Sequence, residues 1–324
     1  MDSFSCKALN NEISFFPDRI NLCCSGVPGP GYAIKNGSFD IDDFVKFKEK
    51  TVIDFKNGAV SNECRNCHQI EKYNEDFQFD KFSKIIFNHF THCNSACIYC
   101  ARKNVFNTNY TNTDSYSKYY NVYPIIEKLY QKNLISETEL ALDFQGGDIG
   151  VLKEFKDLLN LFSKHNVTNY TFTTNNIVYF EEIERLMQRG IVRIVTSVDA
   201  GTRETYLKIK NVDKFDVCID NMKKYIQKGG VGYITGKYIL LEGINDNSEE
   251  LTKFISIMSD IGVKTLVLDM DYRYIMKNDL NKKFVVPKHF YDLYSLFEAK
   301  CKENNVYMYN YPYTKTILDK GFYE

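Results

Sequence analysis

The chain has 324 residues, 44% hydrophobic and 15% aromatic, enough to bury one large core with a small appendage. Its 41 Lys and Arg set against 42 Asp and Glu leave a net charge of -1, which gives no electrostatic argument for nucleic acid or a membrane surface as partner. No apolar run is long enough to cross a bilayer, and the start Met1-Asp2-Ser3-Phe4-Ser5-Cys6 has neither the basic region nor the apolar stretch of a signal peptide.

Residues 1–80 carry half of the ten cysteines: Cys6, Cys23, Cys24, Cys64 and Cys67. In an unsecreted chain such thiols are expected as metal ligands and reduced thiols of a low-oxygen cytoplasm, not as a disulfide framework. Cys64 and Cys67 leave two residues between them, a spacing suited to zinc or an iron–sulfur cluster, and His68 is placed to substitute for one sulfur. The segment is too small to bury a good core alone, so a metal staple is physically sensible.

From residue 84 the sequence alternates short apolar runs with amphipathic stretches, the pattern of repeated strand–helix units. Strands are predicted over Lys84–Phe90, Glu139–Gln145, Asn169–Thr174, Val192–Val198, Tyr233–Leu241 and Thr265–Asp269. Between them Val151, Leu152, Phe155, Leu158, Leu159 and Phe162 recur at helix spacing, as do Leu251, Phe254, Ile255, Met258 and Ile261. The fold class is α/β, and six such units suit an open partial (β/α)6 barrel over residues 81–280. A last helix from Pro287, with Phe290, Leu293, Tyr294 and Phe297 on one face, leads into a tyrosine-rich tail that alternates partly like a strand, so residues 281–324 are expected to cover the barrel. Cys218 and Cys301 fall in helical patterns and read as core residues. His89 and His92, beside the cysteine loop, read as satisfied structural groups.

The first predicted strand runs into His92-Cys93-Asn94-Ser95-Ala96-Cys97-Ile98-Tyr99-Cys100. Three thiols separated by three residues and then two fit one short loop, and such a loop wraps a cubane cluster while leaving one iron without a protein ligand. An open metal position is where chemistry takes place. The plain alternative is a zinc loop or three unrelated cysteines.

This loop, with an aromatic residue before its last thiol, resembles the signature of the radical S-adenosylmethionine (radical SAM) superfamily. The resemblance implies a [4Fe-4S] cluster on Cys93, Cys97 and Cys100, whose open iron chelates S-adenosylmethionine (SAM), and a 5′-deoxyadenosyl radical that abstracts hydrogen from a substrate. It also implies which later residues hold the cofactor. Gln145-Gly146-Gly147-Asp148 resembles the family's Gly-Gly-Glu element, with Asp148 in place of Glu. Thr173-Thr174-Asn175-Asn176 resembles its Thr-Asn-Gly turn, which puts Asn175 at the cofactor and asks Asn176 for a backbone that Asn tolerates. Ser197-Val198-Asp199 resembles a subgroup in which Ser and Asp flank the ribose or carboxylate, and Lys210 stands where that subgroup has a basic partner for the methionine carboxylate. Thr202, Glu204 and Thr205 would also cap a helix. Leu241, Ile244 and Tyr99 are candidates for packing on the adenine.

The N-terminal cysteines resemble the SPASM extension of radical SAM enzymes, with Cys6, then Cys23 or Cys24, then Glu63-Cys64-Arg65-Asn66-Cys67 in that order, although SPASM extensions usually follow the barrel. The resemblance implies an auxiliary [4Fe-4S] cluster, with zinc as the alternative. The expected function is a cytoplasmic radical SAM oxidoreductase, fed by a flavodoxin- or ferredoxin-like electron donor and acting on a peptide or a small sugar-like molecule. The alternatives are an RNA- or sugar-modifying epimerase without an electron-accepting cluster, and a non-catalytic iron–sulfur or zinc scaffold. Glu242, Asp269, Asp271 and Tyr272 sit near strand ends with no role that the sequence assigns.

Overall fold

In the computed structural model, residues 4–23, 30–34, 39–60, 62–65, 67, 70–72, 81–100, 120–271, 287–310 and 314 are described. The chain divides into two units, Met1–His92 with Tyr116–Thr171, and Cys93–Ser115 with Phe172–Glu324.

In the first unit, β1 (Phe4–Cys6) and β5 (Ile70–Lys72) form a small antiparallel pair with Cys6 opposite Ile70. The main sheet takes β2 (Glu12–Phe15), β3 (Arg19–Asn21), β4 (Gly31–Ala33), β6 (Lys84–Phe87) and β7 (Leu140–Phe144). Strands β2, β3 and β4 are antiparallel neighbours, whereas β2, β6 and β7 run parallel. The N-terminal segment, read from its cysteines as an appendage, therefore supplies three strands to the sheet that contains β6. The reason is the apolar side of β2 and β3: Ile13, Phe15 and Ile20 are fully buried, and leaving them exposed would forfeit roughly 1.5–3 kcal/mol each. Phe15, Phe87 and Phe144 stand in register across the three parallel strands, with ring centroids 6.0 Å and 4.4 Å apart in turn. The opposite side chains, Glu12, Ser14, Lys84, Ala141 and Asp143, share the other face, because successive residues of a strand alternate. The helix Ile41–Lys56 starts at Asp40, whose carboxylate accepts from the amides of Asp42 and Asp43. The expected amphipathic segment after β7 forms the helix Phe155–Phe162. The start of β8 (Val167–Thr173) is tied to the start of β7 by Thr168 Oγ1 on the Leu140 carbonyl at 3.2 Å.

The second unit holds the parallel strands β9 (Val192–Ser197), β10 (Ile234–Leu240), β11 (Thr265–Met270) and β12 (Tyr307–Met308), paired in chain order. The helices Arg203–Lys210 and Phe215–Tyr225 follow β9, Ser248–Asp260 follows β10, and Lys288–Glu303 follows β11. Gly236 in β10 lets Leu266 and Met258 approach to 2.8 Å and 3.1 Å of where a Cβ would stand. All six predicted barrel strands are present as β6 to β11, in an α/β chain with a mostly parallel arrangement. Among the described residues the tyrosine-rich tail contributes Tyr307 and Met308 to the sheet as β12, and residues 311–313 and 315–324 lie outside the described residues.

Candidate functional site

Within the second unit the cysteine loop is fastened to the end of the helix Arg203–Lys210. The last carbonyls of a helix have no partner inside it. Here the loop supplies them: the Ala96 amide donates to the Lys210 carbonyl at 2.9 Å and the Ile98 amide to the Ile209 carbonyl at 3.0 Å. The helix is begun by Thr202, whose hydroxyl accepts from the Thr205 amide as the sequence anticipates, and ended by Asn211 in the left-handed region at φ 54°.

Beneath the loop lies a buried charged group. The Asp199 carboxylate receives the Lys210 ammonium, the Tyr99 hydroxyl at 2.5 Å and the Ile239 amide at 2.9 Å. Lys210 also reaches the Tyr99 oxygen at 2.6 Å. Asp199 itself takes a left-handed backbone, φ 62°, at the end of β9, and strain of that sort persists where the surroundings over-determine it. The surroundings are Asn245: its side chain donates to the carbonyls of Asp199 and Ile239 at 2.7 Å and 2.8 Å and accepts from the Leu241 amide. Burial pushes the Tyr99 hydroxyl well above its usual range, with the Asp199 carboxylate adding to it. Burial works against the charge on Lys210, yet the neighbouring Asp199 carboxylate keeps its pKa above the ordinary lysine value.

The loop's other half is held by Asn175. Its amide donates to Asn94 at 2.5 Å and to Ser95 at 3.3 Å, with Cys93 Sγ at 3.7 Å. Ser95 Oγ stands 3.3 Å from Cys93 Sγ and 3.6 Å from Cys97 Sγ. Cys93 is exposed and Cys97 and Cys100 half-buried, three thiols on one anchored loop, a donor set that fits a three-thiolate cluster. Among the described residues no three His, Cys, Asp or Glu side chains stand close enough to share a single ion. A cubane spreads its thiolates more widely than one ion does.

The structure brings Cys93, Cys97, Cys100, Tyr99, Asn175, Asp199 and Lys210 together. Ser197 sits half-buried at the end of β9, in register with Lys237. Leu241 is buried with Ile209 and Ile239, and Tyr99 and Ile244 pack against that cluster. Asn176 does take the left-handed backbone, φ 56°, and ties its amide to Thr196. Asp269, among the unassigned strand-end residues, pairs with Lys237 at 2.5 Å. Asp271 is buried, Glu242 exposed, and Tyr272 lies outside the described residues.

In the first unit, Gly146 makes room for the Phe90 ring, and a Cβ on Gly147 would stand 1.7 Å from the His92 carbonyl oxygen. Asp148 is buried and its carboxylate caps the Gly150 amide at 2.8 Å. His89, read as structural, is fully buried with Nε2 3.0 Å from Glu154. No described cysteine is in a disulfide. Cys64 and Cys67 share a tight turn, the Cys67 amide donating to the Cys64 carbonyl at 3.1 Å. Burial pushes the Cys6 thiol up, and Cys23 and Cys67 lie near enough to add to it. Cys24 and His68 fall outside the described residues.

Two features escape a sequence reading. Asn245 lies in a turn recognisable only as polar, and its part in holding Asp199 needs the fold. Asp143 is a charge inside the otherwise apolar strand β7. Burial pushes its carboxyl up to about 6, against the opposing pull of Gln145 and Lys84. The folded chain thus holds this proton more tightly than an unfolded aspartate does. That stabilisation is complete below pH ~4 and is lost as pH rises through 6, above which the buried charge costs about 3 kcal/mol. Asp143→Asn is expected to raise the unfolding free energy by that amount at pH 8 and to leave it unchanged at pH 4, measured by urea denaturation at both values.

Residues 87–255 match the radical SAM superfamily. A probable GTP 3',8-cyclase of Saccharolobus islandicus is 27% identical over 183 residues, 54% of this chain and 53% of that protein. The GTP 3',8-cyclase of Clostridium botulinum is 21% identical over 180 residues, 55% of this chain and 53% of that protein. The chain spans about half the length of the curated relatives it matches. The crystal structure of Streptococcus suis SuiB bound to precursor peptide SuiA aligns with a TM-score of 0.51 at 11% identity, covering 99% of this chain and 75% of that one, a likeness of fold alone. With the match running from the end of β6 through the cysteine loop into the helix after β10, the chain belongs to the radical SAM superfamily.

Proposed function

We propose that the chain is a radical SAM oxidoreductase that takes a hydrogen atom from a peptide or a small sugar-like substrate. The observation that carries this is the triad Cys93, Cys97 and Cys100 on a loop anchored by Asn175 and by the end of the helix Arg203–Lys210. A [4Fe-4S] cluster on these thiolates supplies, when bound, one-electron cleavage of SAM and a radical able to abstract hydrogen. The chain's own residues fix where that happens. Asp199, Lys210 and Tyr99 hold the loop from below, and the ammonium of Lys210, bonded to Asp199 and Tyr99, places a positive charge near Cys97. Ser197 and the edge of the Leu241–Ile244–Tyr99 cluster offer a polar contact and an apolar wall for the nucleoside part of SAM.

The electron released by the substrate needs an acceptor, and the N-terminal thiols are our candidate for an auxiliary cluster. In support, Cys23 and Cys67 each lie near Cys6, and Cys64 shares a turn with Cys67. The names of the curated relatives favour a second reading, in which a purine nucleotide is the substrate. The test is iron and sulfide content with EPR of anaerobically reconstituted protein, wild type against Cys93→Ala/Cys97→Ala/Cys100→Ala. Retention of one cluster in the folded variant, with loss of the SAM-responsive signal, is expected. A folded variant without any iron would remove the auxiliary cluster and with it the oxidoreductase assignment.

A further inference from the structure

The second unit carries an ion pair beside Ser197 that the anchorage of the cysteine loop does not use. On β10, a Cβ at Gly236 would meet Met258 of the helix Ser248–Asp260, so that side of the strand faces the helix. Lys237, the next residue, points to the opposite face. There it stands in register with Ser197 of β9 and Val267 of β11, on strands ~5 Å apart. Asp269, one alternation further along β11, shares the face, and its Oδ2 receives the Lys237 ammonium at 2.5 Å. Its Oδ1 accepts from the Met270 amide at 2.9 Å and the Thr314 hydroxyl at 3.3 Å, which fixes the carboxylate. The Lys237 carbonyl in turn accepts from the amides of Val198 and of Asp199, the residue beneath the cysteine loop. Asp269 is 6% exposed and Lys237 18%, so the ammonium is the member of the pair that an incoming molecule reaches.

Packing alone does not call for this pair. Val195, Ile239 and Val267 take neighbouring places on the same face, and replacing a buried ion pair by apolar side chains is often neutral or stabilising. We propose that Lys237, oriented by Asp269, is a substrate-binding residue that holds a neutral polyol, a sugar or a cyclitol. This role rests on the radical SAM activity proposed above and selects the sugar-like substrate over the peptide. Charge decides first. The Lys237 ammonium and the Asp269 carboxylate cancel, as do Lys210 and Asp199. Among the described residues of this unit, buried Asp271 follows two residues after Asp269 and adds negative charge. Arg193 lies at the far end of β9, four residues or ~13 Å from Ser197. A phosphate or carboxylate is drawn by Lys237 and repelled by Asp269, whereas a hydroxyl needs no net charge. Hydrogen bonding decides next. Ser197, Lys237 and Asp269 form a row of a hydroxyl, a donor and an acceptor. Hydroxyls on adjacent carbons, each both donor and acceptor, match such a row.

The test is calorimetry on anaerobically reconstituted, SAM-bound protein with myo-inositol, glucose 6-phosphate and trialanine as probes. Saturable binding of myo-inositol is expected, with the other two about tenfold weaker or more. Lys237→Met/Asp269→Asn, which strands no charge, is expected to weaken myo-inositol by about tenfold, as loss of a hydrogen bond to a charged group does. Asp269→Asn alone leaves the ammonium uncancelled and is expected to raise glucose 6-phosphate above myo-inositol, a reversal that a merely structural ion pair would not produce. Thermal melts check that both variants fold. A wild type that cleaves SAM yet gives no heat with any probe would overturn this role alone. So would unchanged myo-inositol binding in the double variant, no reversal in Asp269→Asn, or a wild type that binds glucose 6-phosphate or trialanine most tightly. A wild type with its cluster intact that does not cleave SAM would overturn the reading on which the role rests.

Discussion

Lys210→Met is expected to lower the unfolding free energy by about 3–5 kcal/mol, because removing one partner of a buried ion pair leaves the other charge uncompensated. The side chains concerned are 2% and 0% exposed. Without the ammonium, Asp199 keeps, among the described residues, the Tyr99 hydroxyl and the Ile239 amide, and its buried carboxylate lacks a counter-charge. Lys210→Arg keeps the charge and should restore most of the loss. The double variant Asp199→Asn/Lys210→Met, which strands no charge, should be more stable than the single one. Hydrogen exchange locates the effect: the Ala96 and Ile98 amides, which donate to the end of the same helix, should lose protection in Lys210→Met. A wild-type melting curve and unchanged protection of those two amides would show that the charged group does not hold the loop.

Gly147→Ala is expected to be nearly as damaging, for a steric reason. Its Cβ would meet the His92 carbonyl oxygen at 1.7 Å and carbon at 2.5 Å, and these are backbone atoms that no rotamer change can move aside. The same carbonyl accepts from the Asp148 amide at 2.9 Å, and the Gly147 amide donates to Phe90 at 2.9 Å. Relief of the clash breaks both bonds, at roughly 1 kcal/mol or more each plus strain. His92 directly precedes Cys93 in the chain. The melting temperature and the iron content after reconstitution should fall together. Wild-type values of both would mean that the backbone yields without cost.

The parts of this fold that could be read from the sequence are those with local signatures. Apolar runs of four to seven residues marked β6 to β11, the Thr202 cap marked a helix start, and three spaced cysteines marked the loop. Strand β2 was hidden because it is four residues long and pairs with β6 some seventy positions later, a contact that no local period announces. The site was legible as a set of residues and less so as a set of roles. Spacing places Lys210 at a helix end and Asp199 at a strand end, but only the packing turns the ammonium onto Asp199 and Tyr99 and away from solvent. Asp148 likewise matches a motif position, while its carboxylate is committed to the Gly150 amide. Asn175 stands where the motif expects a cofactor contact and is bonded to the cysteine loop itself.

The central claim is that Cys93, Cys97 and Cys100 carry radical SAM chemistry, and the most direct measurement is formation of 5′-deoxyadenosine and methionine from SAM by the reduced, reconstituted enzyme under strict anaerobiosis. The wild type is expected to release both in equal amounts, and each single Cys→Ala variant at these three positions is expected to release neither. Equal product from wild type and variants, or none from a wild type with its cluster intact and reduced, would contradict the account.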